Sequence, residues 1–228
     1  MNKLSIVIVA LNEEEGIGGV IEAIPRDELK EMGFDVQLLV VDGDSQDRTI
    51  DVAKKAGAEV IVEPRRGYGR AYKTGFAHVT GEVIATADAD LTYPVENIPE
   101  LVRVLRDEDL DFITTNRFAC IEKGAMSLRN RIGNGILTLA TRLLFRIDIH
   151  DSQSGMWVFK KGILDGLMLK SDKMSFSEEL KIEACHFARL RYREMPITYR
   201  PRVGKIKLRA LGDGFHNLLY LVKKRLAR

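Results

Sequence analysis

Residues 4–9 read LSIVIV, an apolar run interrupted only by Ser5 and dominated by β-branched side chains. A strand built from it has no polar face. It must be covered on both sides, as in a parallel sheet layered between helices. Residues 37–41 (QLLVV) read as a second buried strand, 59–62 as a third, short strand and 83–87 as a fourth. Helical segments separate them: residues 16–24, ended by Pro25; residues 47–56, with Asp47 as N-cap and Gly57 as stop; and residues 69–79. Residues 95–105 predict a further helix and residues 112–115 a fifth strand. This alternation predicts an α/β chain with a Rossmann-like, mostly parallel central sheet and helices on both faces.

After residue 115 the pattern loosens. Residues 127–145 predict a long helix carrying Arg129, Arg131 and Arg142, with Arg146 just beyond. Residues 156–159 predict a strand, 176–188 a helix, and 192–199 an extended segment broken by Pro196. Residues 215–228 predict an amphipathic helix. Its apolar Phe215, Leu218, Leu219, Val222 and Leu226 share one face, and Lys223, Lys224, Arg225 and Arg228 crowd its end.

Charge narrows the function classes. Lys+Arg is 35 and Asp+Glu 33, a net charge of +2, which argues against a dedicated nucleic-acid binder. The charge is divided, however. Residues 186–228 hold 12 Lys/Arg and 2 Asp/Glu, and the rest holds 23 against 31. A basic end on an acidic body suggests an anionic partner at that end. Cys120 and Cys185 are too few for a disulfide framework or a four-cysteine zinc site, and are expected as buried thiols. The N-terminus lacks a signal-peptide pattern, and no run of about 18 apolar residues occurs. A cytoplasmic location is expected.

In open α/β sheets, ligands bind beyond the carboxyl ends of the strands. Four successive strands end here in Ala10-Leu11-Asn12-Glu13, Asp42-Gly43-Asp44-Ser45, Arg65-Arg66-Gly67-Tyr68-Gly69 and Asp88-Ala89-Asp90. These loops are expected to converge on one cleft. Asp88 and Asp90 place two carboxylates beyond a buried strand. They suit a hard divalent cation, Mg²⁺ or Mn²⁺, completed by water and phosphate oxygens. A solvated turn that happens to hold two aspartates is the competing reading. Asp42 can accept hydrogen bonds from a base or ribose. Gly67 and Gly69 let a pre-helix backbone approach phosphate. The dinucleotide pattern G-x-G-x-x-G fails at Tyr72, and no P-loop occurs, so a dinucleotide dehydrogenase and a P-loop ATPase find no support.

Taken in order, the motifs resemble those of the inverting family-2 glycosyltransferases of the GT-A fold. Within that family they resemble the polyprenyl-phosphate (dolichyl-phosphate) sugar synthases. Val9 to Glu13, Val40 to Thr49, Arg66 to Ala71 and Asp88 to Leu91 carry the first half of the resemblance. Asn116-Arg117-Phe118, Asp151 to Gly155, Glu194 to Ile197 and Pro201 to Lys205 carry the second. The chain departs from the family at Leu11, Thr92 and Ile206, where tyrosine, glutamine and serine are frequent.

The resemblance implies one GT-A domain. Residues 1–115 would form a nucleotide-sugar half, 116–210 an acceptor half, and 211–228 a basic terminal helix. The donor would be a GDP- or UDP-linked hexose. Ala10, Leu11, Glu13 and Asp42 would hold its nucleoside, with Gly67, Gly69 and Ala89 also in the substrate site. Asp88 and Asp90 would hold the metal. Arg117, Arg129 and Arg131 would bind the acceptor phosphate, with Gln153 and Ser154 in the same site. Arg202 and Lys205 would steady either the donor diphosphate or the acceptor phosphate. Asp90, Arg117 and Asp151 form the expected catalytic set.

A phosphate monoester acceptor, with its second pKa about 6, needs no base at neutral pH. A hydroxyl acceptor would need a carboxylate, for which Asp151, Glu178 and Glu179 are the candidates. The partners expected are therefore a nucleotide sugar, a polyprenyl phosphate and the cytoplasmic face of a membrane, on which the basic helix could lie. That helix could instead pack its apolar face on the domain. The alternative functions are transfer to a glycan or protein hydroxyl, and a non-catalytic nucleotide-sugar-binding module at the membrane. Trp157 is expected in the core, and the four histidines show no ligand spacing.

Overall fold

The computed structural model describes residues 2–204 and 210–227. Its first half alternates as the apolar runs require. Strand β1 (Asn2–Ala10) leads to helices α1 (Ile17–Glu22) and α2 (Arg26–Glu31), and β2 (Phe34–Asp42) leads to α3 (Thr49–Lys55). Then come β3 (Glu59–Val62), α4 (Tyr68–His78), β4 (Val83–Asp88) and α5 (Ile98–Asp107). The second half holds β5 (Phe112–Ile121), α6 (Leu128–Phe145), β6 (Trp157–Lys160), α7 (Phe176–Ile182), β7 (Tyr192–Tyr199) and α8 (Ala210–Leu226).

The seven strands lie in the order β3-β2-β1-β4-β6-β5-β7. β1 to β4 pair in parallel, β6 runs antiparallel to both of its neighbours, and β7 is parallel to β5. Side chains of β1 alternate between the two faces. Leu4, Ile6 and Ile8 enter one core with Ile21, Leu29, Ala53 and Leu101, so α1, α2, α3 and α5 cover that face. Val7 enters the other core with Tyr72, Leu137, Phe176 and Leu221, so α4, α6, α7 and α8 cover the opposite face. The run is apolar apart from Ser5 because each face of the strand has its own layer of helices. Trp157 is buried at the centre of the second core, tilted against Tyr72 at 5.1 Å between ring centroids.

Three expectations need correction, and a fourth holds with an addition. Pro25 ends α1, as expected, but it also sits at the N-terminus of α2, where its missing N–H costs nothing. Pro196 does not break β7. That strand lies at the sheet edge, where a missing donor is tolerated, and Pro196 pairs with Asn116 where the β5 register shifts. β5 runs on to Ile121, six residues beyond the apolar segment. Cys185 is buried but Cys120 is exposed, and both are free.

Candidate active site

The carboxyl ends of β1, β2, β3 and β4 open into one cavity of about 330 Å³, lined by Leu11, Glu13, Gly43, Arg66, Asp88 and Asp90 among others. The loops are bent sharply to reach it. Asn12 (φ 50°), Asp44 (φ 66°) and Leu91 (φ 64°) all take the left-handed conformation, which Asn and Asp tolerate and Leu does not favour. Hydrogen bonds stitch the first two loops together. Ser45 Oγ accepts from the Asn12 N–H at 2.8 Å and donates to Asp42 Oδ2 at 2.6 Å, while Asn12 Oδ1 accepts from the Gln46 N–H at 2.7 Å. Gly67, at φ 146°, enters α4 so close to the following chain that a Cβ would lie 2.1 Å from the Asp172 carbonyl.

The two aspartates have different surroundings. Asp90 is buried, and its Oδ1 accepts from the Thr92 N–H (3.1 Å) and hydroxyl (2.6 Å). Its Oδ2 accepts from Arg202 at 2.6 Å, and the same guanidinium reaches Glu13. Thr92 therefore holds Asp90 rather than extending a donor set of its own. Asp88 has the hydroxyl of Tyr68 at 3.4 Å. Burial, with the charge of Asp90 added, pushes the Asp88 carboxyl up to about 7, against the opposing pull of Arg202 and Arg117. A close pair of oxygen donors in which one resists ionisation fits a hard divalent cation. Among the described residues no cluster of three His, Cys, Asp or Glu could hold a metal. The remaining ligands of a cation on Asp88 and Asp90 would have to be water or substrate oxygens.

A second cavity of about 210 Å³ lies between α6 and α8, against β5. Arg117, Arg129, Asn130, Gln153, Tyr199 and Asn217 supply its polar and aromatic walls. Met174 lines both cavities, so they share a wall. Arg117 sits in the stretch where β5 slips register against β7. It is 7% exposed, packs over the Tyr199 ring, and forms a fork on Asp151 through Nε (2.7 Å) and Nη2 (2.9 Å). Burial alone would raise the Asp151 carboxyl. The charge and hydrogen bonds of Arg117, with Lys181 behind, outweigh it and hold Asp151 below the usual carboxylate range. Among the described residues, no Asp or Glu lines this second cavity.

The profile of the glycosyl transferase family 2 matches residues 5–168 of this chain. The chain belongs to that family. It is 35% identical over 221 residues to a low-salt glycan biosynthesis hexosyltransferase of Haloferax volcanii, covering 96% of this chain and 53% of that protein. It thus spans about half the length of that relative. It is 32% identical over 213 residues to a dolichyl-phosphate hexose transferase of the same organism, covering 92% and 89% of the two chains. The crystal structure of glucosyl-3-phosphoglycerate synthase from Mycobacterium tuberculosis, in complex with Mn²⁺, UDP-glucose and phosphoglyceric acid, superposes with a TM-score of 0.78 at 22% identity. The match covers 98% of this chain and 79% of that one. The fold is GT-A, and this family-2 member is a glycosyltransferase.

The structure sorts the residues singled out from sequence. Ala10, Leu11, Glu13, Gly67, Asp88, Ala89, Asp90 and Arg202 line the first cavity. Asp42 does not: it is buried, and its two oxygens accept from the Ser45 N–H and hydroxyl, so it shapes the loop. Gly69 is also set back from the cavity, where α4 passes within van der Waals contact of Ser171 and Phe176. Arg117, Arg129 and Gln153 line the second cavity. Arg131, two residues on from Arg129, points to a separate depression with Arg142 and His150. Ser154 is buried against Thr115, and Asp151 stands behind Arg117 rather than on the cavity wall. Lys205 and Ile206 lie outside the described residues. Tyr68, part of the strand-end loop singled out from sequence, also lines the first cavity, though its side chain has no role assigned from sequence. Sequence reading misses Met174, Tyr199 and Asn217: none of them stands in a chemically suggestive pattern, and only the tertiary fold brings them to the cavities.

Proposed function

We propose that this enzyme transfers a hexose, with inversion, from a nucleoside-diphosphate donor in the first cavity to a polyprenyl phosphate whose headgroup enters the second. One observation carries the reading: the second cavity presents Arg117 and Arg129 and, among the described residues, no carboxylate. Two guanidinium groups suit a phosphate dianion, which is already a nucleophile at neutral pH. An acceptor hydroxyl would need a base within hydrogen-bond reach. Asp151 is tied to Arg117. Glu179 accepts from two main-chain N–H groups, Tyr220 and Lys224. Glu178 is buried and bonded to Gln153, and burial pushes it up to about 8, so it is largely protonated at neutral pH. The name of the dolichyl-phosphate hexose transferase that this chain resembles points the same way.

In this mechanism Leu11, Gly43 and the Gly67 loop receive the nucleoside diphosphate. Asp88 and Asp90 would hold Mg²⁺ or Mn²⁺, the kind of ion bound in the structural neighbour. When bound, that cation neutralises charge developing on the leaving diphosphate. Arg202, already poised between Glu13 and Asp90, adds a second positive group beside it. Arg117, aimed by Asp151, fixes the acceptor phosphate for attack at the anomeric carbon.

The lipid is met by an apolar surface. Leu128, Ile132, Ile136, Leu139 and Leu143 form an exposed stripe along α6. Phe215, Leu218, Leu219, Val222 and Leu226 do so along the adjoining α8. Basic residues on the same helices favour an anionic bilayer as their cover. No described helix is long and apolar enough to cross a membrane. The test is transfer by the purified protein from labelled GDP- and UDP-hexoses, with Mn²⁺, to dolichyl phosphate in detergent. A product extracted into organic solvent is expected. Transfer only to phosphoglycerate, a glycan or a peptide would overturn the proposal.

A further inference from the structure

Helix α7 carries Glu178, Glu179 and Lys181, all buried, and Glu183 follows at once, also buried. The glutamates hold neighbouring segments. Glu179 fixes the main chain at Lys170 and Ser171, and Glu183 pairs with Lys224 of α8. Lys181 does something else. Its side chain is fully buried, and its ammonium donates to three carbonyls of one loop: Asp151 at 3.0 Å, Ser152 at 2.9 Å and Ser154 at 2.8 Å.

A buried ammonium is costly to desolvate, and an apolar side chain of similar volume would fill the space without that cost. A three-donor cation has one property that methionine lacks: it draws three carbonyls to a single point. The loop so gathered is the one behind the second cavity. Asp151 forks onto Arg117, and Gln153 reaches the cavity wall. The N–H groups of the loop are anchored separately, Asp151 on Glu194 at 2.9 Å and Ser152 on Thr138 at 3.0 Å. Lys181 supplies the anchor on the carbonyl side.

We propose that Lys181 is a positioning residue for acceptor recognition: by gathering the carbonyls of Asp151, Ser152 and Ser154 it fixes the carboxylate that aims Arg117 into the second cavity. The inference rests on the acceptor reading given above. Lys181 touches neither cavity, so its effect passes through the loop.

The experiment compares Lys181→Met, Lys181→Gln and Arg117→Ala with the wild type, measuring the KM for dolichyl phosphate, the KM for the donor, and donor hydrolysis without acceptor. Lys181→Met is expected to raise the acceptor KM by roughly tenfold or more, because misplacement of a binding group by an ångström is that costly. Donor KM and hydrolysis should stay within about twofold, a split that general loss of fold would not produce. Lys181→Gln, which keeps two of the three donors, should fall between. It also decides the matter if Lys181→Met shows no hydrolysis and has therefore failed to fold. An acceptor KM that rises in Arg117→Ala but not in the folded Lys181 variants overturns the role of Lys181 and leaves the acceptor reading intact. An acceptor KM unchanged in Arg117→Ala overturns both.

Discussion

Asp151→Asn tests the second cavity most directly. It keeps the shape of the side chain and removes its charge, leaving the Arg117 guanidinium buried without its counter-ion. Arg117 is 7% exposed and Asp151 is fully buried, so water cannot compensate. Breaking a buried pair by removing one partner costs about 3–5 kcal/mol. In a chain of this size each kcal/mol shifts Tm by about 2–4 °C, so the melting temperature should fall by roughly 6–20 °C. Adding Arg117→Met removes the stranded cation, and the double variant should recover about 1–2 kcal/mol relative to Asp151→Asn. Urea unfolding of the single and double variants measures this, and transfer to dolichyl phosphate is assayed on the same preparations. The expected result is a double variant that is more stable than Asp151→Asn yet transfers nothing. A double variant no more stable than the single one would refute the claim of a buried ion pair. A double variant with the wild-type acceptor KM would refute the phosphate role of Arg117.

Three further outcomes are open to measurement. Because the Asp88 carboxyl lies at about 7, protons compete with a cation below that value, so Mn²⁺ affinity in the presence of UDP or GDP should rise between about pH 6 and pH 8. Calorimetry should find that rise in the wild type and not in Asp88→Asn, and an equal affinity across the range would contradict the metal assignment. Gly69→Ala places a Cβ 2.5 Å from the Ser171 carbonyl and 2.6 Å from Phe176 Cβ, so it should destabilise by about 1–3 kcal/mol. An unshifted urea midpoint would show that the α4 contact relaxes freely. Leu139→Glu with Leu143→Glu should reduce co-sedimentation with phosphatidylglycerol vesicles while donor hydrolysis persists; undiminished sedimentation would remove α6 from the membrane surface.

The parallel strands were legible because β-branched runs have one stable use, a doubly covered sheet. Their ends were legible too, since the acidic and glycine-rich loops had to meet at one edge. What escaped depends on rotation and pairing. Arg129 and Arg131 look equivalent in sequence, but a two-residue step on a helix turns the second to another face. Asp42 looks like a ligand-facing acid until Ser45 is seen to satisfy both of its oxygens. The apolar pattern of β5 stops at Asn116 and Arg117, and the strand continues past them only by slipping register against β7. Lys181 gave no signal at all, because the value of a buried ammonium lies in carbonyls contributed about 30 residues earlier.

The left-handed residues Asn12, Asp44 and Leu91 bear on how this enzyme could be re-engineered. Each sets the direction of a loop that delivers side chains to the first cavity; Asn12 and Asp44 are residue types suited to that angle, and Leu91 is held there against its preference. A library aimed at new nucleotide or sugar preference should vary Leu11, Gly43 and Arg66 and leave these three untouched. Glycine is the one replacement with no steric penalty at such angles, and it would exchange a fixed loop for a looser one. The freedom to alter specificity and the freedom to alter backbone therefore belong to different positions, in places only one residue apart.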